Sequence, residues 1–175
     1  MSGSVGVGER IPLRFDRDLR PEWIDFSLAA YVREPDEQLH REALRVYLAD
    51  QIVGQEALNK TITQLQRTAG SRSVVGQARL EEFYAQMLAL PPDERALLRL
   101  QLLEESIPFF GDTVQAMRRM SLLGMTAITT QQLYDLMMRQ YGDRKNLRRC
   151  LRYILQTLDH MKLLNRNNGT WSTVF

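Results

Sequence analysis

Apolar residues recur three and four positions apart along most of the chain, and that spacing predicts helices. Pro21 suits a first helical turn, and Trp23, Ile24, Phe26, Leu28, Ala29 and Tyr31 follow at a density that buries one side, with Trp23 in the core. Pro35-Asp36 breaks that helix and opens a second. Its apolar stripe is broad, running through Leu39, Ala43, Leu44, Val46, Tyr47, Leu48 and Ile52 to an end near Gly54. A third helix runs from about Glu56 through Leu58, Ile62 and Leu65 to Thr68. Beyond the loop Ala69-Gly70-Ser71-Arg72-Ser73, a fourth turns Ala78, Leu80, Phe83, Tyr84, Met87 and Leu88 inward. Pro92, Asp93 and Glu94 start a fifth, in which Leu97, Leu98, Leu100, Leu102 and Leu103 are apolar nearly all round; such a helix belongs in the middle of a bundle. Ile107-Pro108-Phe109-Phe110-Gly111 punctuates, and Asp112 caps a sixth helix carrying Val114, Met117, Met120, Leu122 and Leu123. Near the start, Ile11-Pro12-Leu13-Arg14-Phe15 alternates instead, as an extended arm packed on the body or on a second copy would.

The last 47 residues change character. Thr129-Thr130 can cap a helix with Leu133, Leu136, Met137 and Tyr141 on one face, stopping near Gly142. Asp143 can cap the next, whose Leu147, Leu151, Ile154, Leu155 and Leu158 must face a core. Lys145, Arg148, Arg149 and Arg152 lie three and four apart, so they project together from its first turns. Leu163-Leu164-Asn165, Arg166-Asn167-Asn168-Gly169 and Thr170-Trp171-Ser172-Thr173-Val174 then read as strand, turn and strand, because Asn-Gly tolerates the positive φ of a tight hairpin. This order resembles a winged helix-turn-helix. The expected architecture is therefore mainly α, a compact helical bundle with a C-terminal winged helix-turn-helix ending in a short β-hairpin. Residues 1–15 form a flexible N-terminus and extended arm, 16–110 a helical domain and 111–175 the winged segment. Connections are short throughout, and the softest boundary is residues 106–112.

Charge sharpens the picture. The chain is +2 overall, which points to no partner, but residues 139–175 hold eight Lys or Arg against two Asp, while the remainder holds fifteen against nineteen. A segment at +6 beside a body at −4 is the footprint of polyanion binding. Double-stranded DNA is the expected partner. Lys145, Arg148, Arg149 and Arg152 would contact it from the second helix, with Gln156 marginal, and Arg166 and Asn168 would reach adjacent phosphates or the minor groove. Asn146 or Asn168 has the amide that pairs with adenine, although an Asn at a helix start or turn is more often structural.

Other chemistry is scarce. His40 and His160 are isolated, with no Cys or carboxylate at metal-ligand spacing; His40 is expected at the surface and His160 as a cap on the negative end of its helix. The pairs Asp93-Glu94 and Glu104-Glu105 point in different directions on a helix, so they read as solvated charges rather than an acid-base site. No Gly-rich phosphate loop and no Gly-x-Ser-x-Gly elbow is present. A non-enzyme without metal or cofactor is expected. Cys150 reads as a small packing residue, and the methionines of the C-terminal half (Met117, Met120, Met125, Met137, Met138 and Met161) as core rather than a deformable docking face. With 44% hydrophobic and 25% charged residues the chain is of ordinary globular composition, which excludes a disordered tail. No apolar run approaches the roughly 20 residues that span a bilayer. The first residues, Met1 to Gly8, lack a basic start and apolar stretch, so a cytoplasmic location without membrane contact is expected.

Leu88-Ala89-Leu90-Pro91-Pro92 leads into Leu97-Leu98-Arg99-Leu100-Gln101-Leu102-Leu103, then an apolar helix, then Arg148 to Leu164 ending in Leu-Leu before a polar hairpin. This succession resembles the BrxA-like small helical proteins of BREX phage-defence systems. It spans at most residues 88–166 and does not extend to Arg20-Pro21-Glu22-Trp23-Ile24-Asp25. The resemblance implies a non-enzymatic, DNA-binding accessory in a multi-component defence cluster. Two other classes fit the same pattern. One is an interaction module whose Arg face pairs with acidic side chains of a larger complex, and the other a transcriptional regulator sensing a ligand in its helical body. A homodimer is compatible with any of the three.

Overall fold

The computed structural model describes residues 11–175. The Gly- and Ser-rich start, expected to be mobile, lies outside the described residues. The described chain is mainly helical with a small antiparallel sheet at its C-terminal end. In chain order the elements are α1 (Pro21–Arg33), α2 (Glu37–Leu48), α3 (Gln55–Ala69), α4 (Gln77–Leu88), α5 (Ala96–Ser106), α6 (Pro108–Leu122), β1 (Ile128–Thr129), α7 (Thr130–Tyr141), α8 (Leu147–His160), β2 (Leu164–Asn167) and β3 (Thr170–Thr173). The three strands lie in the order β1-β3-β2, so the hairpin is completed by a short strand from the far side of α7.

Local chemistry sets most of these boundaries. Pro21 opens α1, and the Asp36 carboxylate accepts the Leu39 N–H at 2.9 Å to cap α2. Thr129 and Gln132 form a reciprocal capping box at the start of α7: the Thr129 hydroxyl accepts the Gln132 N–H at 3.0 Å and the Gln132 side chain accepts the Thr129 N–H at 2.9 Å. Other boundaries differ from the sequence reading. α2 ends at Leu48, and Gly54 precedes α3 rather than closing α2. Pro92–Glu94 form a separate 3₁₀ turn before α5. Asp112 does not cap α6, because that helix already begins at Pro108; Asp112 sits one turn inside and accepts hydrogen bonds from Tyr141 and Gln140 of α7.

One hydrophobic cluster runs from Leu13 to Leu164. The N-terminal arm helps to join its two ends. Residues 11–20 belong to no helix or strand, with Leu13, Phe15 and Leu19 buried and the Phe15 ring 5.2 Å from that of Phe110 on α6. Gln64 on α3, itself buried, holds the arm in both directions: its Nε2 donates to the Arg14 carbonyl and its Oε1 accepts the Asp16 N–H, each at 2.9 Å. From the other side the Leu19 N–H donates to Thr157 Oγ1 of α8 at 2.9 Å, and His160 Nε2 lies 2.9 Å from the Asp18 carboxylate. His160 stands in the last turn of α8, where it was expected, and adds this contact to the arm.

Four large apolar side chains expected inside are exposed. α2 is buried along the line His40, Leu44 and Leu48, one residue every fourth position, so Leu39 and Val46 fall roughly a quarter turn or more away at 55% and 72% exposure. Leu88 on α4 and Leu97 on α5 are likewise exposed, so α5 is not apolar all round in its environment. Arg99 takes the buried place on that helix. Its Nε and Nη2 donate to the two oxygens of Asp25 on α1 at 2.8 Å each, and Arg95 adds a third bond to Asp25 at 3.1 Å. A bidentate geometry of this kind is what makes a nearly dry ion pair tolerable, since removing either partner strands a charge. The acidic pair Glu104-Glu105 is not simply solvated either: Glu104 is paired with Arg118 and Glu105 with Arg79, whose guanidinium holds the Glu105 carboxyl below its usual range.

His40, expected at the surface, is 1% exposed. Its Nε2 lies 3.0 Å from the Ser27 carbonyl, so the neutral ring donates there, while the Ser27 hydroxyl bonds the Ala69 carbonyl at 3.1 Å. Gly70 makes room for the ring, because a Cβ at that position would stand 2.6 Å from His40 Cε1. Burial lowers the His40 pKa below its ordinary 6.5, partly opposed by the bond to Ser27. The unfolded chain takes up this proton at its ordinary pKa and the folded chain only at lower pH. The associated stability is therefore full above 6.5 and is lost as pH falls through the folded value. We predict that unfolding free energy from urea titrations declines between pH 7 and pH 5.5 with a component of up to about 1.4 kcal/mol per pH unit that disappears in His40→Gln. An unchanged slope in the variant would show that His40 is free to protonate in the folded state.

Candidate nucleic-acid interface

The inward face of α8 consists of Leu147, Cys150, Leu151, Ile154, Leu155, Thr157 and Leu158, all buried. That periodicity leaves Arg148, Arg149 and Arg152 on the outward side, and all three are exposed. Asp143 does not cap this helix. α8 begins at Leu147 after Asn146, whose side chain makes no cap bond, and the Asp143 carboxylate instead accepts a long 3.5 Å bond from the Tyr134 hydroxyl. Lys145 consequently sits on the turn leading into α8, not on the helix. Its place beside Arg149 is kept.

The hairpin is tighter than the sequence reading made it. Arg166 and Asn167 belong to β2, and the turn is only Asn168-Gly169, with φ of 48° and 81°. Positive φ at both central residues is the condition of a two-residue turn whose twist matches its strands, and it explains the Asn-Gly pair. The register follows: Asn167 faces Thr170 and Arg166 faces Trp171. On the other edge Ile128 of β1 pairs with Trp171, which places this Trp in the middle of the sheet.

These elements enclose a groove of about 550 Å³. One wall carries Lys145, Arg148, Arg149 and Arg152, with Leu155 and Gln156 further along α8. Arg166 and Trp171 form the opposite wall, and Thr130 at the start of α7 lies at its margin. Five of the six expected contact residues thus line one concavity. Asn168, the sixth, is exposed at the hairpin tip outside it. Trp171, Leu155 and Thr130 were not among the expected site residues; counting back from a two-residue Asn-Gly turn would have set Trp171 opposite Arg166.

The cations differ in how they are held. The Arg148 guanidinium lies 4.0 Å from the centre of the Tyr134 ring and donates from Nη1 to Gln131 Oε1 at 3.0 Å. Arg166 lies 4.2 Å from the centre of the Trp171 ring, with Nη2 3.3 Å from Asp159. Arg152 is more loosely placed, 5.8 Å from the Tyr153 ring. Lys145 and Arg149 have neither an ion-pair nor a hydrogen-bond partner among the described residues. Arg144, though in the same basic segment, is directed elsewhere and donates to the Ile11 carbonyl of the arm at 2.6 Å.

Beneath the groove Cys150 is fully buried, and burial together with the nearby Asp16 pushes its thiol up to about 11. It packs, as expected, and so do Met117, Met120, Met137 and Met161, all buried. Among the described residues no three His, Cys, Asp or Glu side chains gather as a metal site, and no helix is long and apolar enough to cross a membrane. Comparison with protein-family models, curated proteins and solved structures yields no match.

The division of α8 into two faces is directly testable. Lys145→Ala and Arg149→Ala should each change unfolding free energy by no more than about 0.5 kcal/mol, whereas Leu151→Ala should cost about 2 to 5 kcal/mol. Equal costs for the polar and apolar substitutions would mean that the helix is rotated from this placement.

Proposed function

We propose that this chain is a non-enzymatic protein that binds double-stranded DNA through a winged helix-turn-helix extending from α6 to the C-terminus, with α8 as recognition helix and the β2–β3 hairpin as wing. The observation that carries the reading is the convergence of Lys145, Arg148, Arg149, Arg152 and Arg166 on one groove from α8, the turn before it and the β2–β3 hairpin. The order helix, strand, helix, helix, strand, strand with sheet order β1-β3-β2 supports it independently of charge. Phosphates are the natural partners of Lys145 and Arg149, which have no ion-pair or hydrogen-bond partner to release among the described residues. An accessory role in a multi-component phage-defence cluster, which the leucine pattern implies, would add a protein partner to the same DNA contact.

That partner-binding component has an observation of its own. Leu122 and Leu123, at the end of α6, are 86% and 82% exposed. Docking through such residues responds weakly to salt, whereas phosphate binding responds steeply.

Fluorescence anisotropy of a labelled random duplex and a matched single strand at several salt concentrations separates the two. Three to five neutralised phosphates give a slope of log affinity against log salt of about −3 to −5. Lys145→Glu/Arg149→Glu should abolish duplex binding while leaving the circular dichroism spectrum and unfolding midpoint unchanged. A folded wild-type protein that fails to bind duplex at low salt overturns the proposal.

A further inference from the structure

The five cations of the groove are not equivalent, and the difference bears on what they can read. A phosphate asks only for positive charge within reach, which a mobile Lys145 or Arg149 supplies. A base edge asks for a planar fork at a fixed angle, and a freely rotating arginine must lose its rotamer freedom to provide one. Arg148 has already lost it. Its guanidinium carbon lies 4.0 Å from the centre of the Tyr134 ring, and Gln131 Oε1 accepts from Nη1 at 3.0 Å, so one cation-π contact and one hydrogen bond from α7 fix a side chain borne by the first turn of α8. This leaves the Nε–Nη2 edge for a ligand. Arg166 is stacked in a similar way on Trp171, but its Nη2 faces the Asp159 carboxylate at 3.3 Å, so part of its donor capacity is spent inside the protein.

Resting on the duplex-binding reading above, we infer that Arg148 is a guanine reader, donating two hydrogen bonds to O6 and N7 in the major groove, and that Tyr134 and Gln131 are the residues that position it. Guanine is the base whose major-groove edge offers two adjacent acceptors to such a fork, whereas adenine replaces one of them by a donor. Lys145, Arg149 and Arg152 then contribute affinity without selectivity.

The test compares duplexes that differ only at the bases. Anisotropy titrations use a G·C-rich duplex, an A·T duplex of equal length, and the G·C-rich duplex with 7-deazaguanine, which lacks N7, at one salt concentration and across a salt series. The wild-type protein should prefer the G·C-rich duplex by about tenfold, and deazaguanine should remove most of that preference. Arg148→Lys keeps the charge and loses the fork; it should bind all three duplexes equally with the salt slope unchanged. Tyr134→Leu should lower the preference and Tyr134→Phe should retain it, a split that a purely structural role for the ring would not produce. Arg45→Lys, on α2 and outside the groove, is the control and should keep it. Equal wild-type affinity for the G·C-rich and deazaguanine duplexes, or a preference that survives Arg148→Lys, overturns the assignment while duplex binding stands. Loss of salt-sensitive duplex binding altogether overturns both.

Discussion

Burial of one face of α8 governs the C-terminal part of this protein. Leu147, Leu151, Ile154, Leu155 and Leu158 are buried together, and each is worth roughly 1.5 to 3 kcal/mol on removal from water. With those positions fixed inward, the helical period leaves Arg148, Arg149 and Arg152 no direction but outward. Cationic side chains are costly to bury, so the same constraint is enforced from both faces. The groove is then closed by the hairpin, whose register is set by a two-residue turn that only residues tolerant of positive φ can make. Charge, period and turn chemistry agree on one surface.

The arm gives the arrangement its unity. Residues 11–20 run between α3 and α8 and are held to each by polar contacts with little tolerance: Gln64 on one side, Thr157 and His160 on the other. Leu13, Phe15 and Leu19 fill the seam. Beneath α8 the arm also reaches Cys150, whose thiol pKa is pushed up by burial and by the nearby Asp16. The basic helix is therefore backed by the N-terminal helices through this arm as well as by its own neighbours α6 and α7.

What the sequence disclosed follows from which interactions are local. Helix starts at Pro21, Asp36 and Thr129, the Asn-Gly turn and the inward line of α8 all depend on residues within a few positions of each other, and all are found where the pattern puts them. The mistakes concern partners distant in the chain. Nothing in the leucine-rich run around Arg99 announces its burial, because its partner Asp25 lies 74 residues away. His40 looks exposed because nothing nearby announces that Ser27 and Gly70 shape a slot for its ring. Leu39, Val46, Leu88 and Leu97 were placed inside by hydrophobicity alone, although a stripe centred elsewhere on each helix leaves them out. Within the site, the cations were legible as a cluster because they are close in sequence. The aromatic supports Tyr134 and Trp171, and the short β1 that completes the sheet, were not, because they come from other elements.

The groove between α8 and the hairpin is the place proposed for contact with a nucleic acid. The most direct measurement is a titration of isotopically labelled protein with a short duplex at low salt, following backbone amide shifts residue by residue. Thr130, Lys145 to Arg152 and Arg166 to Trp171 should move together and saturate together, while α1 to α4 stay unperturbed. Saturable shifts centred on another surface, with these residues unmoved, would contradict it.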